Sequence, residues 1–145
     1  MSGCTSREVF QFRIPGQPHY VSMVRHGIHC VACSHDLPDS IISDVEVSVS
    51  EAITNAIMHG CPRNDDSIVV VTCRLGSDKL VIDVEDEGEG FQPDDGLERQ
   101  SDPMLERGRG LRLIRHLMDG MQVSRMRTGF RFRMVKKLQA LATNS

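Results

Sequence analysis

The sequence is poor in aromatic residues and has no long apolar run. It contains no Trp, one Tyr and five Phe, which together make up 4% of its 145 residues. A folded core must therefore be aliphatic, built from Val, Ile, Leu and the eight Met. No apolar stretch approaches the roughly 18 residues that a membrane-spanning helix needs, and the N-terminus lacks the apolar segment of a signal peptide. We therefore expect a cytoplasmic protein that makes no contact with a membrane.

The sequence also lacks an excess of positive charge. Its 17 Lys and Arg are outnumbered by 20 Asp and Glu, which gives a net charge of −3. A general nucleic-acid-binding protein would normally be basic, so we expect no direct nucleic-acid contact. Five cysteines, an odd number, are typical of reduced thiols rather than of a disulfide framework.

The spacing of apolar residues predicts strands and helices in the order β–α–α–β–β–α–β. The strands are predicted at 8–14, 68–75, 80–84 and 129–135, and the helices at 20–32, about 40–59 and 111–121. This order predicts one two-layer α/β sandwich over residues 1–145, with a sheet on one side and three helices on the other. We expect 1–7 and 139–145 to be frayed. Residues 92–107 form a long predicted loop, of a kind that is usually functional or disordered.

The second predicted helix carries Glu51, Asn55 and His59 at intervals of four residues. This spacing predicts that the three side chains share one side, opposite the apolar stripe of the helix. An amide oxygen at Asn55 could ligate Mg²⁺, which prefers oxygen ligands. Glu51 could polarise a hydroxyl or a water near a γ-phosphate. A solvated polar face would explain the same triplet, so the motif alone does not decide between the two.

A second motif begins at Asp86, just after the predicted strand, and continues with Gly88 and Gly90. A carboxylate at a strand end can accept hydrogen bonds from an adenine amino group. The two glycines would let the backbone pass close to a flat base. An ordinary acidic turn is the alternative interpretation.

A third motif opens the last predicted helix with Gly108, Arg109 and Gly110, followed by Leu111. A glycine turn that leads into a helix N-terminus offers free N–H groups and a favourable dipole to an anion. Arg107 and Arg109 add positive charge. A flexible hinge with a basic surface is the alternative. No Gly-Lys-Ser/Thr sequence occurs in the chain, which excludes a P-loop.

Taken in order, residues 50–60, 86–91 and 108–119 resemble the N-box and the two glycine boxes of the GHKL ATPase superfamily. Within it, the chain resembles the RsbW- and SpoIIAB-like anti-sigma-factor serine/threonine kinases. The resemblance extends over roughly residues 8–138. It implies a Bergerat-type ATP-binding fold, with a mixed, mostly antiparallel sheet and three helices on one face.

The resemblance also implies a role for each motif residue. It implies ATP and Mg²⁺ as cofactors, Glu51 as the catalytic base, Asn55 as the Mg²⁺ ligand and Asp86 as the adenine-binding carboxylate. Residues 92–107 would be the ATP lid. The remaining nucleotide-binding positions implied are His59, Gly88, Gly90, Arg107, Gly108, Arg109, Gly110 and Leu111.

Family members bind a sigma factor, phosphorylate a Ser or Thr of a STAS-type anti-anti-sigma protein, and commonly form homodimers. The resemblance implies these partners here. The chain departs from the family at its last strand, where Gly129-Phe130 stands in place of Gly-Thr. Thr128 lies one register off. The lid arginine that helps to bind the γ-phosphate could be Arg107 or Arg109.

Two other functions are compatible with the motifs. One is a nucleotide-dependent binding module that sequesters a regulator but transfers no phosphate. The other is a detached histidine-kinase catalytic domain. That class would be expected to carry a phospho-accepting His helix, which the sequence lacks, and usually has no Glu placed like Glu51.

A separate cluster lies on the first predicted helix, where His26, His29, Cys30 and Cys33 fall within about a 100° arc. These side chains are possible ligands for a soft metal or sites of redox chemistry. One straight helix can rarely surround a tetrahedral Zn²⁺ with four ligands, so a partner chain or loop would have to complete the site. A partner-binding surface and simple coincidence are the alternatives.

Overall fold

The computed structural model describes residues 8–60, 67–86, 108–126 and 129–138. A short 3₁₀ turn, Pro18–Tyr20, precedes the first helix, and a π-helical turn, Ala56–Gly60, extends the second. The elements, in chain order, are β1 Glu8–Pro15, α1 Val21–Ser34, α2 Asp39–Asn55, β2 Ile68–Leu75, β3 Lys79–Asp86, α3 Gly108–Leu117, β4 Gly120–Met126 and β5 Gly129–Lys137.

The five described strands form one sheet in the order β1-β2-β3-β5-β4. All four pairings in this sheet are antiparallel. The helices pack on one face of it, and their buried residues share one aliphatic cluster with alternate residues of the strands. The cluster includes Val49 and Ile53 from α2, Ile114 from α3, and Ile82 and Met134 from the sheet. The predicted two-layer α/β fold with three helices is thus confirmed.

The third helix begins and ends earlier than the predicted 111–121, and the strand that follows it was missed. The helix ends at Leu117, and β4 begins at Gly120. The apolar residues Ile114, Leu117, Met118 and Met121 follow a helical period, which is why 111–121 was predicted as one helix. Met121 instead pairs with Met134 across β4 and β5. Glycine is a poor helix former, so the helix does not continue through residue 120.

The face of the sheet that points away from the helices carries a cluster of ion pairs around Asp83. Its neighbours along β3, Ile82 and Val84, are in the core, so Asp83 points to the other side. Arg133 donates two hydrogen bonds to its carboxylate, at 2.7 and 2.8 Å, and Arg74 donates a third at 3.0 Å. Burial would raise the pKa of Asp83, but the two guanidinium groups outweigh it and hold that pKa below its usual value.

None of the helices in the described ranges is both long and apolar enough to cross a membrane.

Candidate functional site

A cleft opens where the end of α2 meets the end of β3. Its volume is about 300 Å³. All three sequence motifs contribute to its lining, through Asn55 from α2, Asp86 from β3 and Leu111 from α3. These residues are far apart in sequence, so the fold brings the motifs together. The other lining residues are apolar: Ala52, Ala56, Val84, Phe130 and Phe132.

Asn55 contributes a polar group that the protein leaves unsatisfied. Its side-chain nitrogen Nδ2 is buried and has no hydrogen-bond partner among the described residues. A buried polar group without a partner costs about 1–3 kcal/mol, a cost that a bound polar ligand would remove. An amide that is not committed to an internal network fits a ligand-binding role, and its oxygen is a suitable ligand type for Mg²⁺.

The predicted direction of Asn55 is wrong. The spacing predicted that it lies opposite the apolar stripe of α2. The side chain is instead half-buried and borders that stripe, since it lines the cleft together with Ala52 and Ala56. Three residues of α-helix turn the chain through about 300°, so Asn55 lies only about 60° from Ala52 around the helix.

Asp86 is the last residue of β3 and is 5% exposed. Its carboxylate packs against the backbone of Gly129, at the start of β5. A Cβ atom at residue 129 would lie 2.0 Å from Asp86 Oδ1 and 2.6 Å from the Asp86 carbonyl oxygen. Gly129 also has a φ of 134°, a region that side chains disfavour. Only glycine fits this position, and it is what allows Asp86 to take its place at the cleft.

Glu51 lies one helical turn before Asn55 and is half-buried. It is not among the residues that line the cleft. The Glu51 carboxylate therefore belongs to the same helix as Asn55 but is not part of the cleft lining.

The third motif forms the first turn of α3, whereas the sequence predicted a glycine turn before a helix that begins at Leu111. The backbone of Gly108, Arg109 and Gly110 is helical, and their side-chain surroundings lie outside the described part of the chain. Leu111, in the same turn, is 4% exposed and lines the cleft. The N-terminus of α3 is therefore at the cleft, where its free N–H groups and dipole favour an anion.

Several predicted site residues fall outside what the structure describes. Gly88, Gly90, Arg107 and the predicted lid at 92–107 lie in the undescribed range 87–107. The backbone of His59 belongs to the π-helical turn that follows α2, and its side chain is not described. Their predicted roles stay predictions. The π-helical turn itself is notable, because such turns occur frequently at functional sites.

Sequence reasoning did not identify Gly129, Phe130 or Phe132 as site residues. Gly129 and Phe130 were recognised only as a departure from the family pattern. The sequence feature that could have identified them was that departure, together with a strand pairing that places the start of β5 beside the end of β3.

A second cleft, between α1 and the sheet, encloses about 340 Å³ but has an apolar lining. It contains none of the predicted site residues and offers no charged group to a phosphate. The only ionisable side chain in it is Cys73, and burial, aided by the charge of Asp83, raises the pKa of this thiol to about 12. The lining residues are Phe10, Phe12, Ile28, Val31, Ala32, Leu37, Cys73, Leu75 and Leu80.

The four predicted ligands on α1 do not converge on one centre. Cys30 Sγ lies 3.7 Å from His26 Nε2, but His29 points to α2 and contacts Glu46 through its Nδ1. Cys30 and Cys33 are exposed thiols. Among the described residues, no group of three or more His, Cys, Asp or Glu is arranged to hold a metal ion. Redox reactivity of the two thiols stays a prediction.

Comparison with solved structures shows the same fold elsewhere. The RsbU and RsbW domains of a Mycobacterium tuberculosis protein match with a TM-score of 0.69 at 16% identity, over 90% of this chain and 32% of that one. This chain thus spans about a third of that protein. The histidine kinase domain of a blue-light activated histidine kinase from Erythrobacter litoralis matches with a TM-score of 0.55 at 20% identity, over 90% of this chain and 64% of that chain.

Sequence comparison identifies nearer relatives. The Serine-protein kinase RsbW of Bacillus velezensis is 36% identical over 129 residues, 82% of this chain and 79% of that protein. The Anti-sigma F factor of Clostridium botulinum is 36% identical over 106 residues, 70% of this chain and 74% of that protein. The predicted resemblance to anti-sigma-factor kinases is therefore confirmed. The family model of the histidine kinase-like ATPase domain matches residues 14–136, and the chain belongs to that family.

Proposed function

We propose that the chain is an ATP-dependent protein serine/threonine kinase that acts as an anti-sigma factor. The observation that carries the proposal is the convergence of Asn55, Asp86 and the N-terminus of α3 on one cleft. A carboxylate, a carboxamide with a buried unsatisfied nitrogen and a helix N-terminus supply three different contacts to one ligand. A nucleoside triphosphate with its Mg²⁺ has a part that suits each of them.

The proposed arrangement of the nucleotide follows from the chemistry of these groups. Asp86 accepts a hydrogen bond from the adenine amino group at the apolar end of the cleft. Asn55 supplies an oxygen ligand to Mg²⁺. The first turn of α3, which begins at Gly108, receives the phosphates. Bound ATP supplies a γ-phosphoryl group, and the protein contributes mainly positioning and charge stabilisation to its transfer.

Glu51 is the proposed general base. It is one turn from Asn55 on α2, so it lies close to the end of the cleft where Mg²⁺ would be held. In this role it would accept the proton of the substrate hydroxyl as the hydroxyl oxygen bonds to the γ-phosphorus and the bond from that phosphorus to the leaving ADP breaks.

The proposed partners are a STAS-domain anti-anti-sigma protein, as the phosphorylated substrate, and a sigma factor that the kinase sequesters. The support is the similarity to proteins named Serine-protein kinase RsbW and Anti-sigma F factor. A homodimer is proposed on the same basis. Direct contacts with nucleic acid or a membrane are not part of the proposal.

One observation favours a second function. Glu51 is not among the residues that line the cleft, so a protein that binds ATP and a regulator but transfers no phosphate is also compatible with the site. Such a binding module would use Asn55 and Asp86 as the kinase does, and would not need Glu51.

Transfer of labelled γ-phosphate to a STAS protein tests the proposal. The wild type should transfer phosphate. Glu51→Gln should lower the rate about 100-fold or more, in the range of general base catalysis, while ATP affinity changes little. Thr54→Ala is a matched control, because Thr54 is exposed on the same helix and its hydroxyl donates a hydrogen bond to the Ser50 carbonyl oxygen of that helix. ATP binding without transfer by the wild type would instead support the binding module. Glu51→Gln transfer at the wild-type rate would refute the base assignment.

A further inference from the structure

Three side chains form a row across the sheet at the end where the cleft opens. Arg125 on β4 pairs with Phe130 on β5, and Phe130 and Asp86 both line the cleft. β5 lies between β3 and β4 in the sheet. The aromatic ring is therefore on the strand that separates the cationic side chain from the cleft carboxylate.

Arg125 and Phe130 are in contact through the aromatic ring. The guanidinium carbon of Arg125 lies 5.8 Å from the centre of the Phe130 ring. This distance is within the range of roughly 6 Å for a cation–π interaction. Arg125 and Asp86 lie on the two strands that flank β5. Arg125 can therefore restrain the ring from one side while the ring borders the cleft on the other.

The ring changes what this wall of the cleft can recognise. The family pattern places Thr at this position, and a hydroxyl would offer a hydrogen bond. Phe130 offers none and instead presents a flat apolar surface. Its neighbours in the cleft, Val84, Leu111 and Phe132, are also apolar. An apolar wall with one carboxylate beside it suits a flat heteroaromatic base that carries an amino group.

We propose that Phe130, held in place by Arg125, stacks on the purine base of the bound nucleotide and strengthens its binding in this cleft. The inference rests on the proposed nucleotide-binding function and adds to it a recognition element particular to this chain. Stacking on an aromatic side chain replaces the hydroxyl contact that the family pattern implies. Arg125 acts as a positioning residue, since it contacts the ring rather than the base.

The affinity for ATP–Mg²⁺, measured by calorimetry on three variants, tests the inference. Phe130→Leu keeps an apolar side chain but removes the aromatic surface, and should weaken binding roughly tenfold, as expected for the loss of one base–aromatic stack. Phe130→Tyr keeps the ring and should remain within about twofold of the wild type. Arg125→Gln should weaken binding roughly threefold, through a less restrained ring. Thermal unfolding of each variant serves as a check of its fold.

The outcomes separate this inference from the proposed function. ATP binding by the wild type, with Phe130→Leu equally tight, would overturn the inference and leave the proposed function intact. An equal loss in Phe130→Tyr and Phe130→Leu would overturn it too, because shape rather than stacking would then matter. If Phe130→Leu failed to fold, unchanged affinity in Arg125→Gln would overturn it. Absence of ATP binding by the wild type would refute both proposals.

Discussion

Two buried aspartates on one strand have different surroundings. Asp83 and Asp86 both lie on β3 and are 2% and 5% exposed. They are three residues apart, so they face opposite sides of the sheet. Asp83 accepts three hydrogen bonds from Arg74 and Arg133, whereas Asp86 lines a cleft that it shares with the unsatisfied amide of Asn55. Burial alone thus does not identify a functional carboxylate; its surroundings do.

The two aspartates also contribute to different properties of the protein, one to stability and the other to ligand binding. The hydrogen bonds of Asp83 connect β2, β3 and β5, so its carboxylate contributes to folding. The environment of Asp86 depends on Gly129, which has no side chain and leaves room for the carboxylate. We therefore expect substitutions at Asp83 to change stability and substitutions at Asp86 to change ligand binding.

The largest expected effect is that of Gly129→Ala. The new methyl group would lie 2.0 Å from Asp86 Oδ1, at a backbone φ of 134°. Backbone strain and overpacking together should lower the free energy of unfolding by about 3 kcal/mol, and displacement of Asp86 should abolish ATP binding. Urea unfolding and calorimetry measure the two effects. Gly76→Ala is the matched control, because a Cβ there meets only an ordinary contact of 3.6 Å. Equal stability of the two variants would show that Gly129 is not needed at the Asp86 contact.

Asp86→Asn should have the next largest effect. It keeps the size of the side chain but replaces an acceptor-only carboxylate with an amide, and a hydrogen bond to a charged group is worth about 1.5–3 kcal/mol. ATP affinity should therefore fall about 10- to 100-fold, a much larger loss of affinity than that expected for Asp83→Asn. Wild-type affinity in this variant would remove the distinction between the two aspartates.

Asp83→Asn should show the converse pattern. Loss of the charged acceptor for Arg74 and Arg133 should lower the free energy of unfolding by about 1–3 kcal/mol, while ATP affinity stays within about twofold. Urea unfolding and calorimetry on the same preparation check both parts. A loss of ATP affinity as large as that of Asp86→Asn would contradict the assignment of Asp83 to the fold.

The pH dependence of unfolding sharpens the same point with a smaller effect. Because the folded-state pKa of Asp83 lies below its usual value, its contribution is complete above the unfolded-state pKa of about 3.9. That contribution is lost as the pH falls through the lower, folded-state pKa. The difference in unfolding free energy between the wild type and Asp83→Asn should therefore be constant near neutral pH and shrink in acid. A difference that grows in acid would mean that folding raises the pKa of Asp83 instead of lowering it.

Much of the fold could be predicted from periodicity. The helical spacing in α1 and α2 and the apolar runs of β2 and β3 lie close to the observed elements, because their patterns have no competing period. Residues 118–121 were different. Met118 and Met121 satisfy a helical period, yet Met121 alternates with Gln122 on a strand. A local pattern could not show that β4 would pair with β5, since that pairing depends on distant residues.

The candidate site was predictable in part. Asn55, Asp86 and Leu111 were identified from motifs and do meet at one cleft. Their spacing did not indicate that Asn55 borders the buried face of α2. The contact between Gly129 and Asp86 depends on cross-strand position and on a positive φ, neither of which a single sequence reveals. The role of Phe130 likewise follows only once its ring is seen against Arg125.

The cleft at the end of β3 is proposed to bind ATP–Mg²⁺. Hydrogen exchange of the wild-type protein, with and without ATP–Mg²⁺, tests it most directly because it locates the ligand. The expected result is slower exchange at the end of α2, around Asn55, and in the first turn of α3, around Leu111, with α1 unchanged. Slower exchange confined to α1, or none around Asn55 and Leu111 at a saturating concentration of ATP–Mg²⁺, would contradict the claim.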